Sequence, residues 1–186
     1  MAVEIVYETH ATTTDNEAGI ATGWLPGELS EAGRAQAREL GARRRDDGID
    51  VVLASDLRRA VDTADIAFAG TAIPVRHDRR LRECDYGTFN GCRVADLAAR
   101  RSRHIDTPFP GGQSYRQVIR ATEDLLRDLA AERDGQRVLV VAHSANRWAL
   151  ACLLGGASIE DLVDAPFRWQ PGWEYTLGTG ARTGPR

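Results

Sequence analysis

The chain has 186 residues, 42% hydrophobic and 27% charged, with a formal net charge of −3. That length suits one domain with a substantial core, the composition speaks against disorder, and the weak acidity gives no reason to expect nucleic acid as a partner. Lysine is absent and all 24 basic residues are arginines, which excludes a P-loop lysine and a Schiff-base lysine.

Any bound anion must therefore rest on arginine, histidine or backbone amides. The three cysteines, Cys84, Cys92 and Cys152, are an odd number without CxxC spacing, which argues against a disulfide framework or structural zinc and for a reducing compartment. No basic-then-apolar leader opens the chain, and no apolar run approaches the ~18 residues of a membrane span. A cytoplasmic protein with no membrane partner is expected.

The hydrophobic pattern predicts a strand over 3–8, followed by a polar loop containing Thr22-Gly23-Trp24-Leu25-Pro26-Gly27. A helix opens at Ser30, whose hydroxyl can cap it, and runs to about Arg45. A strand at Asp50–Ala54, a helix over about 57–69 and an extended piece at 73–77 come next. The stretch 79–112 reads as irregular and arginine-rich, closed by Pro108, Pro110, Gly111 and Gly112. A helix from Ser114 to Arg133 precedes a strand at 137–142 and a further helix over Ala145–Leu154. The tail 158–177 ends in a strand at Glu174–Leu177, and 178–186 reads as frayed. Strands separated by helices predict one α/β domain over 1–186: a three-layer sandwich, with a mostly parallel central sheet and helices on both faces.

Two histidines stand out within this pattern. His10 ends the first strand and His143 ends the strand at 137–142, and open α/β sheets place their ligands at such strand ends. Brought together, they can form a site for a phosphate ester. Taken singly, His10 has the competing reading of a hydrogen-bonded histidine at a strand end, and His143 is read with it. Arg58 reads as an exposed neighbour of Arg59, and His77 and His104 as surface. Trp148, Trp169 and Trp173 read as core or interface, and the cysteines as non-catalytic.

Several motifs in order carry a resemblance. Thr9-His10-Ala11 with Asn16 is followed by Thr22-Gly23-Trp24 and by Leu29-Ser30-Glu31-Ala32-Gly33-Arg34-Ala35-Gln36-Ala37. Then come Ser55-Asp56-Leu57-Arg58-Arg59-Ala60, Leu81-Arg82-Glu83-Cys84-Asp85-Tyr86-Gly87, Pro110-Gly111-Gly112-Gln113-Ser114 and Val140-Val141-Ala142-His143-Ser144. Over nearly its whole length the chain resembles the phosphoglycerate mutase-like branch of the histidine phosphatase superfamily. The resemblance implies the sandwich fold of that branch, with Arg59 binding phosphate and Glu83 as the acid.

The chemistry of a phosphomonoester explains the set. A neutral imidazole, His10, can attack phosphorus and hold the phosphoryl group covalently, splitting one hard step into two. Arg59 offers permanently charged, bidentate donors to the phosphoryl oxygens, and His143 adds a hydrogen bond or charge. Glu83 can protonate the leaving oxygen and then activate water, provided that its pKa is raised from ~4.3. Amides at Thr22, Gly23 and Ser144, with Asn16 and Thr9, complete a substrate cradle. A solvated salt-bridge cluster with Arg79, Arg80, Arg82 and Asp85 is the competing reading of Glu83.

The sequence departs from the family where Thr9 stands for the arginine of the Arg-His-Gly signature and Ala11 for its glycine. The lost contact corresponds to ~1.5–3 kcal/mol, or about tenfold to 150-fold in phosphate affinity. Arg147, or an arginine from 79–82 or 100–103, can fill the gap; an unusual substrate or a weakened site are the other readings. The expected activity is a metal-independent phosphomonoesterase using a phosphohistidine, with no metal, no cofactor and a small-molecule phosphate ester as partner. The short stretch between Gly87 and Gly111 leaves little material for a lid, which favours hydrolysis over a phosphoglycerate mutase. A non-catalytic phospholigand-binding module is the alternative from another class. A rim of Arg93, Arg100, Arg101 and Arg103 hints at a second acidic group on the substrate, with solvated surface charge as its rival, and the tryptophans near 169–173 suggest a homodimer.

Overall fold

The computed structural model describes residues 1–178. Strand β1 (Ala2–Thr9) lies in a five-stranded sheet between β6 (Arg137–Ala142) and β7 (Trp173–Gly178), with β3 (Val51–Ala54) and β4 (Val75–His77) beyond β6. The order is β4-β3-β6-β1-β7. All pairings are parallel except that of β7, an antiparallel edge strand.

Side chains alternate across the sheet as the two-residue period requires. Val3, Ile5 and Tyr7 of β1, with Val138 and Val140 of β6, pack against Leu125, Leu126 and Leu129 of α5 (Tyr115–Glu132) and Leu150 of α6 (Ser144–Gly155). Val6, Leu139 and Val141 face the other way, onto Leu40 of α2 (Glu31–Arg44) and Ala64, Ala67 and Phe68 of α3 (Arg58–Phe68). These are the three layers predicted, with helices on both faces of a mostly parallel sheet.

Local capping also follows the sequence. The Ser30 hydroxyl accepts from Gly33 N–H at 3.1 Å, and Ser114 closes a capping box with Gln117 at the start of α5.

Between Leu81 and Ser114 the chain is more ordered than expected. It holds 3-10 turns at Gly87–Phe89 and Arg101–His104, the short helix α4 (Val94–Ala98) and β5 (Cys92–Arg93). Strand β5 pairs with β2 (Ile20–Ala21), just after the one-turn helix α1 (Thr14–Glu17). Elements of two to five residues are too short to carry a readable period. Tertiary packing orders them instead, through an edge-to-face chain of Tyr86, Phe109, Tyr115 and Trp148 with centroids 5.3–6.0 Å apart. His104 is part of this packing, stacked at 3.9 Å on Phe109 rather than free at the surface. A further short helix, α7 (Ile159–Val163), was likewise not legible, and β7 extends to Gly178. The predicted fraying of 179–186 lies outside the described residues.

The loop after His10 is bolted to α2. Thr12 O accepts from Ser30 N–H at 3.1 Å, and Thr12 N–H donates to Gln36 Oε1 at 3.0 Å. A Cβ on Gly33 would lie 1.9 Å from Thr12 O, so only glycine permits this approach. Alanine in an exposed helix gains ~1 kcal/mol over glycine, but a backbone clash of this depth outweighs that gain. Gly33→Ala is expected to destabilise the protein by about 2 kcal/mol and to lower Tm by ~4–8 °C in calorimetry.

Candidate active site

Parallel neighbours end together, which is how two residues far apart in sequence come to share a site. Thr9 is registered against Ala142, and His10 N–H donates to Ala142 O at 2.9 Å, so His10 and His143 leave adjacent strand ends side by side. Their ring centroids are 5.0 Å apart, tilted by 54°. Both line a cleft of about 620 Å³ together with Thr9, Arg59, Glu83 and Ser144.

His10 Nδ1 lies 2.8 Å from the carbonyl oxygen of its neighbour Ala11. A carbonyl only accepts, so Nδ1 carries the proton and Nε2 keeps its lone pair. Burial, reinforced by the positive charge of Arg59, lowers the His10 pKa to about 3. The ring is therefore neutral over the physiological range. Ala11 is fixed in turn by its N–H donating to Thr63 Oγ1 at 3.0 Å, and Thr63 donates to Arg59 O at 2.6 Å. The imidazole and the first turn of α3 are thus held to one another.

His143 is 1% exposed, and among the described residues neither ring nitrogen has a hydrogen-bond partner. Burial, Arg59 and His10 all push its pKa down, so it too is neutral. An orphaned buried polar group costs ~1–3 kcal/mol, a cost tolerated mainly where function needs it. The backbone around it is tightly held, with Tyr7 Oη donating to His143 O and His143 N–H donating to Asn146 Oδ1 at 3.2 Å.

Arg59 is 2% exposed. Its Nη2 donates to Gly23 O at 2.8 Å and Nη1 to Leu25 O at 3.3 Å. These acceptors are neutral, so the guanidinium is aimed but not neutralised. Gly23 suits this turn: at φ +57°, with a would-be Cβ 1.8 Å from Asn90 Oδ1, any side chain there would be strained and would displace Asn90. Arg58, by contrast, is exposed and paired with Glu28 at 2.9 Å.

Glu83 is 8% exposed and is not part of a surface ion-pair cluster. The neighbouring arginines are engaged elsewhere, Arg82 with Asp56 at 2.6 Å and Arg80 with Asp78 and Asp128. Glu83 Oε1 accepts from Cys84 N–H at 2.8 Å and from Ala145 N–H at 3.3 Å, the latter in the first turn of α6. Those two donors occupy Oε1 and leave Oε2 to carry a proton. Burial raises the carboxyl pKa, with the two amides and the charges of Arg59 and Arg101 opposing it.

The remaining predicted residues are mixed in placement. Ser144 opens α6 and lines the cleft, as does half-buried Thr9. Asn16 and Thr22 also line it, but Asn16 Oδ1 is taken up by Thr13 N–H at 3.0 Å and Thr22 Oγ1 donates to Asp15 at 2.8 Å. Cys84 is buried, and its thiol pKa is pushed far up by burial and by Glu83, which removes it as a nucleophile. Among the described residues no group of three His, Cys, Asp or Glu side chains could hold a metal ion.

Three cleft residues carried no readable signal. Arg43, Phe167 and Trp169 meet there only because β7 returns beside β1 and α2 ends over the strand end. Arg43 is tied to Glu8 at 3.3 Å and lies 5.8 Å from the Trp169 ring centroid. Trp169 is 60% exposed, whereas Trp148 is buried and Trp173 packs edge-on against Tyr7 at 5.8 Å. Of the arginines considered as replacements, Arg101 lines the cleft, while Arg147 lies over the Trp173 ring at 5.2 Å.

A sequence profile of the histidine phosphatase superfamily (branch 1) matches residues 9–170. The chain is 32% identical over 173 residues to the 2,3-bisphosphoglycerate-dependent phosphoglycerate mutase of Methylobacterium sp. strain 4-46, covering 85% of this chain and 83% of the mutase. Phosphoserine phosphatase 1 of Hydrogenobacter thermophilus is 29% identical over 166 residues, spanning 84% of this chain and 78% of that one. Among solved structures, mycobacterial glucosyl-3-phosphoglycerate phosphatase superposes with a TM-score of 0.75 at 29% identity, over 88% of this chain and 84% of that chain.

Proposed function

The chain belongs to the histidine phosphatase superfamily, branch 1, and on that footing we propose that it is a metal-independent phosphomonoesterase acting on a small phosphorylated metabolite of the cytoplasm. One observation supports this above the others: the Ala11 carbonyl fixes the His10 tautomer, so that a neutral Nε2 stands ready at the cleft.

In the first step Nε2 of His10 attacks phosphorus and the ester P–O bond breaks. Arg59 stabilises the equatorial oxygens, and His143 donates a hydrogen bond through a ring N–H. Glu83, protonated on Oε2, gives its proton to the departing alkoxide. The resulting imidazolium keeps its Nδ1–H on the Ala11 carbonyl. In the second step the Glu83 carboxylate takes a proton from water as the water attacks the phosphohistidine. Inorganic phosphate leaves, and neutral His10 and protonated Glu83 are regenerated. In this reading Thr9 stands where the family signature carries arginine, and Asn16, Thr22, Gly23 and Ser144 border the substrate.

A mutase activity is the second reading, favoured by the 32% identity to a phosphoglycerate mutase. The deciding assay is phosphate release from p-nitrophenyl phosphate, phosphoserine and 3-phosphoglycerate between pH 4 and 8, with EDTA present. Chelator-insensitive release is expected. Transfer between phosphoglycerate isomers that depends on 2,3-bisphosphoglycerate, without release, would replace the phosphatase reading. No turnover and no trappable phosphohistidine would leave a phospholigand-binding module.

A further inference from the structure

A phosphate monoester near neutral pH carries close to two negative charges, and the cleft must balance them. Both histidines are neutral there, and Glu83 adds no positive charge. Arg59 supplies one cation held by neutral carbonyls. Arg43 is engaged by the carboxylate of Glu8, and Arg82 by that of Asp56.

Arg101 is different. It lies in the 3-10 turn Arg101–His104 and lines the same cleft, half-buried. Among the described residues it forms no ion pair, and its Nε is buried without a hydrogen-bond partner. The guanidinium is held from one side by the Trp148 ring, 5.6 Å away, a contact that positions the cation without neutralising it. Its charge is felt by Glu83, where the leaving oxygen must sit.

We propose that Arg101 is a phosphoryl-binding residue that supplies, from the far wall of the cleft, the cation that position 9 does not provide. The inference rests on the phosphomonoesterase reading for its meaning, but not for its test. An arginine at the end of β1 and an arginine on the 3-10 turn would approach the same dianion from different walls. Either one restores the second positive charge, so the two positions should compensate for one another.

The probe is inorganic phosphate, and its binding is measured by calorimetry, so that no turnover is needed and failure of the enzymatic reading is seen separately. Arg101→Met is expected to weaken phosphate binding ~10-fold or more. Arg103→Met, an exposed neighbour on the same turn, should stay within about twofold as a control for general surface charge. Thr9→Arg in the Arg101→Met background should recover most of the loss. Should Arg101→Met fold poorly by circular dichroism, Arg101→Gln reads the same loss of charge with a polar stem. Unchanged phosphate affinity in the Arg101 variant overturns the proposal, and a fall only in kcat/KM for substrates with a second acidic group would reassign Arg101 to the leaving group. A loss that Thr9→Arg does not recover overturns the exchange between the two positions.

Discussion

His10→Ala is expected to lower phosphate release from any monoester by about 10⁴-fold or more, with no covalent phosphoenzyme formed. Without Nε2, water must attack phosphorus directly and the two-step path is lost, while Arg59 and Glu83 remain to give the residual rate. The measurement is a single-turnover experiment with radiolabelled substrate, quenched in alkali, where a phosphoramidate survives and an acyl phosphate does not. Labelled wild type with unlabelled His10→Ala is the expected pair; a variant that turns over at the wild-type rate would remove His10 from the chemistry. The variant also tests the electrostatics. With its folded pKa near 3 against an ordinary 6.5, the unfolded state takes up the proton first. Wild type therefore loses stability as pH falls from about 6.5 towards 3, and His10→Ala should be less acid-sensitive.

Glu83→Gln carries the second large effect. The amide oxygen can still accept from Cys84 and Ala145 N–H, so the fold should survive while the transferable proton does not. For alkyl phosphates, whose alkoxide must be protonated as it leaves, kcat should fall ~10²–10⁴-fold. For p-nitrophenyl phosphate, which leaves readily without protonation, formation of the phosphohistidine should be far less affected. The pH profile has a defined sign. Because burial raises the Glu83 pKa, the acid form persists above its usual range, and activity falls as pH rises through that raised value. In Glu83→Gln this alkaline fall should disappear. Equal losses on both substrates with the alkaline fall intact would assign the acid to another residue.

Much of the site was legible because it sits at places where sequence and local structure coincide. A β-branched apolar run ending in His10, a second ending in His143, and a helix opening on Arg58 and Arg59 each need only a strand or helix of known direction. The alternation of strands and helices makes the sheet mostly parallel, but that β1 lies beside β6, so that the two histidines meet, is seen only in the folded sheet. The hydroxyl caps at Ser30 and Ser114 belong to the same local code.

What the sequence determined by itself, then, was the α/β sandwich, and it offered the two histidines, Arg59 and Glu83 as the candidates for the site. Only the tertiary structure decided the electrostatics. Glu83 sits amid arginines in sequence, yet the partners Asp56, Asp78 and Asp128 take the nearest of them away, and burial raises its carboxyl pKa above the usual range. Order between residues 87 and 109 came from aromatic packing onto α5 and α6, which no short-range period encodes. Likewise, nothing in spacing distinguished Arg101 from Arg100 or Arg103. Which guanidinium faces the cleft without a carboxylate depends on contacts between segments distant along the chain, and pairwise contacts of that kind exist only after folding.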